Sequence, residues 1–130
     1  MKKTIFVFSA AFLATFIIFF VYSGILIGKS VEEKCQRAKA ERKTDCVNGL
    51  MWTVEDERLS FKDRNDAIWA LGQIGDKQAL ELLEKYYTGF DGGHSNYHDD
   101  ISQHELKKAI KLVDGGFNIT QLVWKWFVDY

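Results

Sequence analysis

Proline is missing from this 130-residue chain, cysteine occurs twice and histidine three times. Two cysteines are too few for a disulfide-dense mini-fold, and without a C-x-x-C they cannot build a structural zinc site by themselves. An excess of positive charge is missing too. The formal net charge of −1 argues against a basic nucleic-acid binder. There is no Gly-rich phosphate loop, no G-x-S-x-G and no H-E-x-x-H. Charge itself is absent from Thr4 to Gly28, a run of 25 positions.

That run holds most of the apolar material of the first 28 residues, including six of the ten phenylalanines. As a helix it would be about 37 Å long, slightly more than the ~30 Å hydrocarbon core of a bilayer. The remaining ~100 residues could not bury such a helix on every side. Lys2 and Lys3 resemble the basic start of a secretory signal. The apolar stretch, however, exceeds the ~7–15 residues of such a signal, and Ile25, Leu26 and Ile27 stand where a small-residue cleavage site would. The expectation is an uncleaved single-pass membrane anchor over residues 1–28, embedded through residues 4–28. Gly24 and Gly28 form a G-x-x-x-G, and Ala10 and Ala14 a looser small pair, which suggests a homodimer through Gly24 and Gly28.

The side of the membrane is read two ways. Two lysines precede the run, whereas residues 29–43 carry six Lys/Arg, which by the positive-inside count places the rest of the chain in the cytoplasm. A short basic start before a long apolar run resembles a bacterial signal anchor with its N-terminus inside. Pairing of Cys35 with Cys46 would point the same way, because disulfides persist outside the reducing cytosol. The balance leans to an extracytoplasmic domain.

Residues 29–44 read as a juxtamembrane helix and linker. Ser30 and Glu33 form a capping box, and Val31, Cys35 and Ala38 make a narrow apolar stripe. The expectation is a lightly packed spacer in preference to a basic collar for anionic lipid. On one straight helix the two cysteines would be about 16 Å apart, so they pair only if the chain turns back, and Thr44-Asp45 is the break that would allow it.

Beyond residue 44 the charge turns acidic, with nine Lys/Arg against fifteen Asp/Glu. Periodicity and punctuation mark four helices. The first runs from Cys46 to Glu55. The second is capped by Ser60 with Asp63 and stopped by Gly75. The third starts at Asp76 and ends at Thr88-Gly89. The fourth is opened by Ser102 with Glu105 and closed by Gly115-Gly116. Val47, Leu50, Met51 and Val54 match Ala79, Leu82, Leu83 and Tyr86 at one offset. Ala67, Ala70, Leu71 and Ile74 match Leu106, Ala109, Ile110 and Val113 at a second offset, seven residues longer, which places an insertion between Phe90 and Ile101.

The run Arg64-Asn-Asp-Ala67-Ile-Trp-Ala70-Leu71-Gly72-Gln-Ile74-Gly75-Asp76, continued by Lys77-Gln-Ala79-Leu80-Glu-Leu82-Leu83, resembles a HEAT repeat. It is most similar to the short form shared with bilin-lyase-type HEAT proteins. The resemblance covers about 20 residues. It implies α-solenoid packing and a binding role, and it carries no lyase activity, because no chromophore-site residues can be matched. The motif residues read as structural. Ala67 and Ala70 admit close neighbours, and Leu71 and Ile74 fill the core. Gly72 relieves crowding at a crossing, Gly75 turns the chain, Asp76 caps the next helix, and Arg64 bonds to carbonyls or a carboxylate. Lys77 stands where family members often carry proline. Two repeats are fewer than the ~3 usually needed for a stable stack, so the ends need covers.

Residues 118–130 are rich in aromatics and read as a C-terminal cap over the last pair, or else as an aromatic patch for a membrane interface or a partner. Asn118-Ile119-Thr120 matches a glycosylation acceptor, which matters only in a eukaryotic secretory protein. Trp69, Tyr97, His98, Trp124 and Trp126 are candidate partner contacts. His94, His98 and His104 share one polar loop region, but their spacing matches no zinc motif, and a polar loop is the plainer reading.

The expected architecture is all-α: an N-terminal transmembrane helix, then a short HEAT-like solenoid of about two helix pairs over residues 45–117. The expected role is a membrane-tethered scaffold or adaptor for a protein partner, with no catalysis, no cofactor, no metal and no nucleic acid. The alternatives are a structural subunit of a membrane complex, and a small metal-dependent enzyme built on the three histidines.

Overall fold

The computed structural model describes residues 2–90, 92–93, 100–128 and 130. Among them the regular elements are all helical. They are α1 (Lys2–Arg42), α2 (Cys46–Glu55), α3 (Phe61–Ile74), a 3₁₀ turn (Lys77–Ala79) leading into α4 (Leu80–Tyr86), α5 (Gln103–Val113) and the short α6 (Gln121–Trp124).

Helix α1 is continuous over 41 residues, about 62 Å. The Ser30–Glu33 capping box, expected to open a separate helix, lies inside it. A helix that is already propagating gains one hydrogen bond for each residue added. Nothing at Lys29-Ser30 withdraws one, so the capping signal goes unused. From Val7 to Phe19 the side chains are exposed all round, and Gly24 is the first buried residue among those described. One helix is thus long and apolar enough to cross a membrane.

From Gly24 onward α1 changes character. Gly24, Gly28, Val31, Cys35 and Ala38 are buried, at alternating spacings of four and three that keep them on one face. The segment expected to be a lightly packed spacer is therefore a core helix. Its charges are engaged as well. Lys34 pairs with Asp66, Arg37 with Glu33 and Asp63, and Arg42 with Asp56.

The chain reverses at Lys43, which adopts a left-handed conformation with φ 53°. Asp45 then caps α2, accepting from the Asn48 backbone N–H at 3.1 Å. The reversal brings Cys35 and Cys46 together, with Cα atoms 4.8 Å apart, in a disulfide that joins α1 to α2. Loop closure of this length stabilises the fold by about 3 kcal/mol.

Helices α2 and α3 form one antiparallel pair, and α4 and α5 the next. The pairs stack chiefly through α3 against α5. Leu50, Val54, Ile68, Leu71, Leu83, Leu106 and Val113 fill the shared core. Where α3 and α5 cross, a side chain on Gly72 would meet the Ala109 Cα at 2.7 Å, so only glycine permits the approach. Gly75 ends α3 with φ 71°, the left-handed stop for which glycine is suited. The insertion between Phe90 and Ile101 is tied down at its far end by Asn65, which is fully buried. Its amide donates to the Asp100 carbonyl at 2.8 Å and accepts from the Ser102 N–H at 2.8 Å.

The segment after Gly116 takes an unexpected course. It crosses the C-terminal end of α3, where Gln121 Nε2 donates to the Gln73 and Ile74 carbonyls at 2.6 and 2.9 Å. These carbonyls have no partner within their own helix. Helix α6 then packs on α1. A side chain on Gly24 would meet Val123 at 2.6 Å, and one on Gly28 would collide with Trp124 and Phe127. The tail thus seals α1 and leaves the outer side of the α4–α5 pair to its own surface residues. The G-x-x-x-G does admit a close helix, but that helix belongs to the same chain. A homodimer through Gly24 and Gly28 would have to displace it.

Candidate interaction surface

The HEAT-motif side chains act on the framework. Arg64 is only 5% exposed. Its Nε donates to the Val54 carbonyl near the end of α2 at 2.8 Å, where the negative end of the helix dipole favours a cation. The guanidinium also lies between the rings of Phe61 and Tyr86, 5.8 and 5.7 Å from their centroids, so one residue ties α2, α3 and α4 together. Asp76 accepts from the Gln78 N–H at 2.9 Å and starts the 3₁₀ turn. Ala67, Ala70, Leu71 and Ile74 are all buried.

Matching helices of the two pairs are stitched along one outer face. Gln78 Nε2 donates to Asn48 Oδ1 at 2.8 Å, and Lys85 lies 3.4 Å from Glu55. Between these links, on α2, stands Trp52, 53% exposed. Outside α1 and the tail it is the one large hydrophobic side chain left exposed among the described residues. A lone tryptophan framed by polar groups suits a central contact residue of a protein interface. Sequence periodicity placed Trp52 beside the core stripe, and that offset is the signal by which it could have been singled out.

At the edge of this face Asp56 receives hydrogen bonds from Arg58 and Arg42. The two guanidinium groups hold its carboxyl well below the usual carboxylate range. Asp45 is lowered by its hydrogen bonds from Asn48. Lys62 is raised by its bond to Asp66. Lys34, Arg37, Glu41, Asp63 and Asp66 rim a small cleft of about 130 Å³ between α1, α2 and α3.

The candidate contact residues fall in different places. Trp69 is half-buried under the Lys34 ammonium, 5.7 Å from its ring centroid. Trp124 is fully buried and makes no outward contact, which corrects its reading as a partner residue. The short α6 turns it toward Gly28, while Trp126, two positions on, is 89% exposed. Tyr97 and His98 lie outside the described residues, as does His94. His104 is exposed and packs on the Phe90 ring, 5.0 Å between centroids. Among the described residues no three His, Cys, Asp or Glu side chains converge as metal ligands would.

A second exposed apolar patch was only partly anticipated. Phe117, Ile119, Leu122, Trp126 and Phe127 surround a groove of about 660 Å³ beside α6. The aromatic content of the tail was visible in the sequence. Its position against Gly24 and Gly28 was not.

A family model described as the PBS lyase HEAT-like repeat matches residues 63–88, which run from the first turn of α3 to just beyond α4. This region of the chain is a HEAT-like repeat. No curated protein and no solved structure matches the chain.

Proposed function

We propose that the chain is a membrane-tethered HEAT-like scaffold that binds a protein partner through the outer face of α2 and α4 and carries out no reaction itself. The observation that carries this reading is the junction in α1. One uninterrupted helix is apolar and uncovered up to Ser23 and is the core helix of a repeat domain from Gly24 onward. The twenty residues from Thr4 to Ser23 span about 30 Å, the thickness of a hydrocarbon core. The shared helix leaves no flexible linker, so the domain is held at a fixed height above the bilayer. HEAT-like repeats suit binding because stacked pairs present a broad, stitched face, and here that face carries Trp52. The Cys35–Cys46 disulfide supports an extracytoplasmic domain, with Lys2 and Lys3 on the inner side.

Photo-crosslinking in native membranes tests this reading. A photoreactive residue at Trp52 of the full chain should give an adduct with one defined protein, and W52A should lose that partner without loss of the folded domain. Adducts formed only from position 16 in the exposed part of α1 would instead make the chain a structural subunit that packs within a membrane complex. Stoichiometric zinc or iron on the purified chain, lost in H98A, would favour the metal-dependent alternative.

A further inference from the structure

Exposed apolar surface is concentrated in two places, the first part of α1 and the segment Phe117–Phe127. The contacts of α6 fix their relative height. Val123 sits on Gly24, and Trp124 and Phe127 sit on Gly28. Gly24 directly follows the residues that span the hydrocarbon core in the reading above. Gly24 to Gly28 then climb about 6 Å along the helix. The headgroup layer of one leaflet is about 5–8 Å thick, as the difference between ~40–45 Å and ~30 Å divides between two sides. Helix α6 therefore lies within the headgroup layer of the leaflet from which α1 emerges.

The chemistry of the exposed side suits that layer. Phe117, Ile119, Leu122 and Trp126 are each about half exposed or more, and Trp126 almost wholly. Such a patch in water would be costly and prone to association. At a membrane interface, tryptophan and phenylalanine lie at headgroup depth with their apolar faces toward the acyl chains. Lys125, exposed on the same turn, brings a cation to the height of the lipid phosphates. Lys29, the first charged residue after the apolar run, is exposed one residue beyond Gly28.

We infer that Phe117–Phe127 is a membrane-interface foot: it rests on the lipid surface beside α1 and gives the repeat domain a second, non-spanning contact with the bilayer. The inference depends on the anchor reading above. The foot leaves the Trp52 face free for a protein partner, because that face belongs to a different side of the domain.

The test uses the full chain reconstituted in phosphatidylcholine–phosphatidylglycerol vesicles, with lipids brominated near the headgroup end of the acyl chain as a contact quencher of tryptophan. The expected result is quenching of the wild-type emission, reduced by about half or more in W126F and unchanged in W52F. Trp126 is so exposed that its replacement does not threaten the fold. Full quenching in W126F, with the chain still held by the vesicles after an alkaline wash, would overturn the foot and leave the anchor standing. A chain released by that wash would refute the anchor and the foot together.

Discussion

Trp124, the largest fully buried side chain of the protein, sits directly on Gly28 of the N-terminal helix, nearly a hundred residues earlier in the chain. This contact joins the tail to the helix that leaves the domain as an uncovered apolar rod. It also explains how so few repeats stand without the usual end caps. Helix α1 closes one side of the stack through its small-residue stripe, and α6 closes α1.

Replacing Gly28 with leucine should push α6 off its seat. Overpacking of this kind costs about 1–3 kcal/mol. The domain should remain helical by circular dichroism, while limited proteolysis should cleave between Gly116 and Trp124 much faster than in the wild type. The Trp124 emission should shift to the red as the indole meets water.

Crowding at the α3–α5 crossing should be reciprocal. Gly72→Ala places a methyl against Ala109 and should destabilise the domain by about 1–3 kcal/mol. Ala109→Gly in the same chain removes that clash and should recover part of the loss, beyond the sum of the single effects. Denaturant unfolding of the four proteins closes the cycle.

The disulfide should contribute about 3 kcal/mol. Reduction, or replacement of Cys35 and Cys46 by serine, should lower the unfolding midpoint accordingly and loosen the α1–α2 hairpin first, as hydrogen exchange in α2 would register. In intact cells the two thiols should resist labelling until a reductant is added.

Acid should weaken the domain partly through Asp56. Its folded carboxyl titrates well below its unfolded counterpart, owing to Arg58 and Arg42. A lowered carboxylate stabilises the fold above the unfolded pKa, and this contribution fades as pH falls below about 4. Asp56→Asn should therefore be less stable than the wild type at neutral pH, and the gap should narrow progressively in acid. Unfolding curves across that range check the sign.

Much of the repeat region was legible because its signals are local. Asp45, Ser60, Asp76 and Ser102 each cap the element they were expected to open, and Gly75 stops α3 where its left-handed turn is needed. Each signal acts within a few residues, so no tertiary information is required. The errors lie where the deciding contact is distant or where context overrides a local preference. Ser30 and Glu33 had the pattern of a helix start, but they fell in a helix already formed. Gly24 and Gly28 announced a close helix without naming it, since spacing carries no record of which surface arrives. Trp124 and Trp126 differ by two positions in an aromatic run, and only the docking of α6 on α1 decides that one is buried and the other exposed. The bilayer-length run was visible from charge alone, but its boundary with the domain was not. That boundary moves from Gly28 to Ser23 because the tail claims one more turn of the helix.

The central claim is that one helix serves both as bilayer anchor and as domain core. It is tested most directly by isolating the chain from native membranes after an alkaline carbonate wash and measuring its intact mass and disulfide state. The account predicts a chain that stays with the membrane, retains residues 4–23, and carries the Cys35–Cys46 bond. A washed-off chain, or one whose mass shows that the apolar run has been removed, would contradict it.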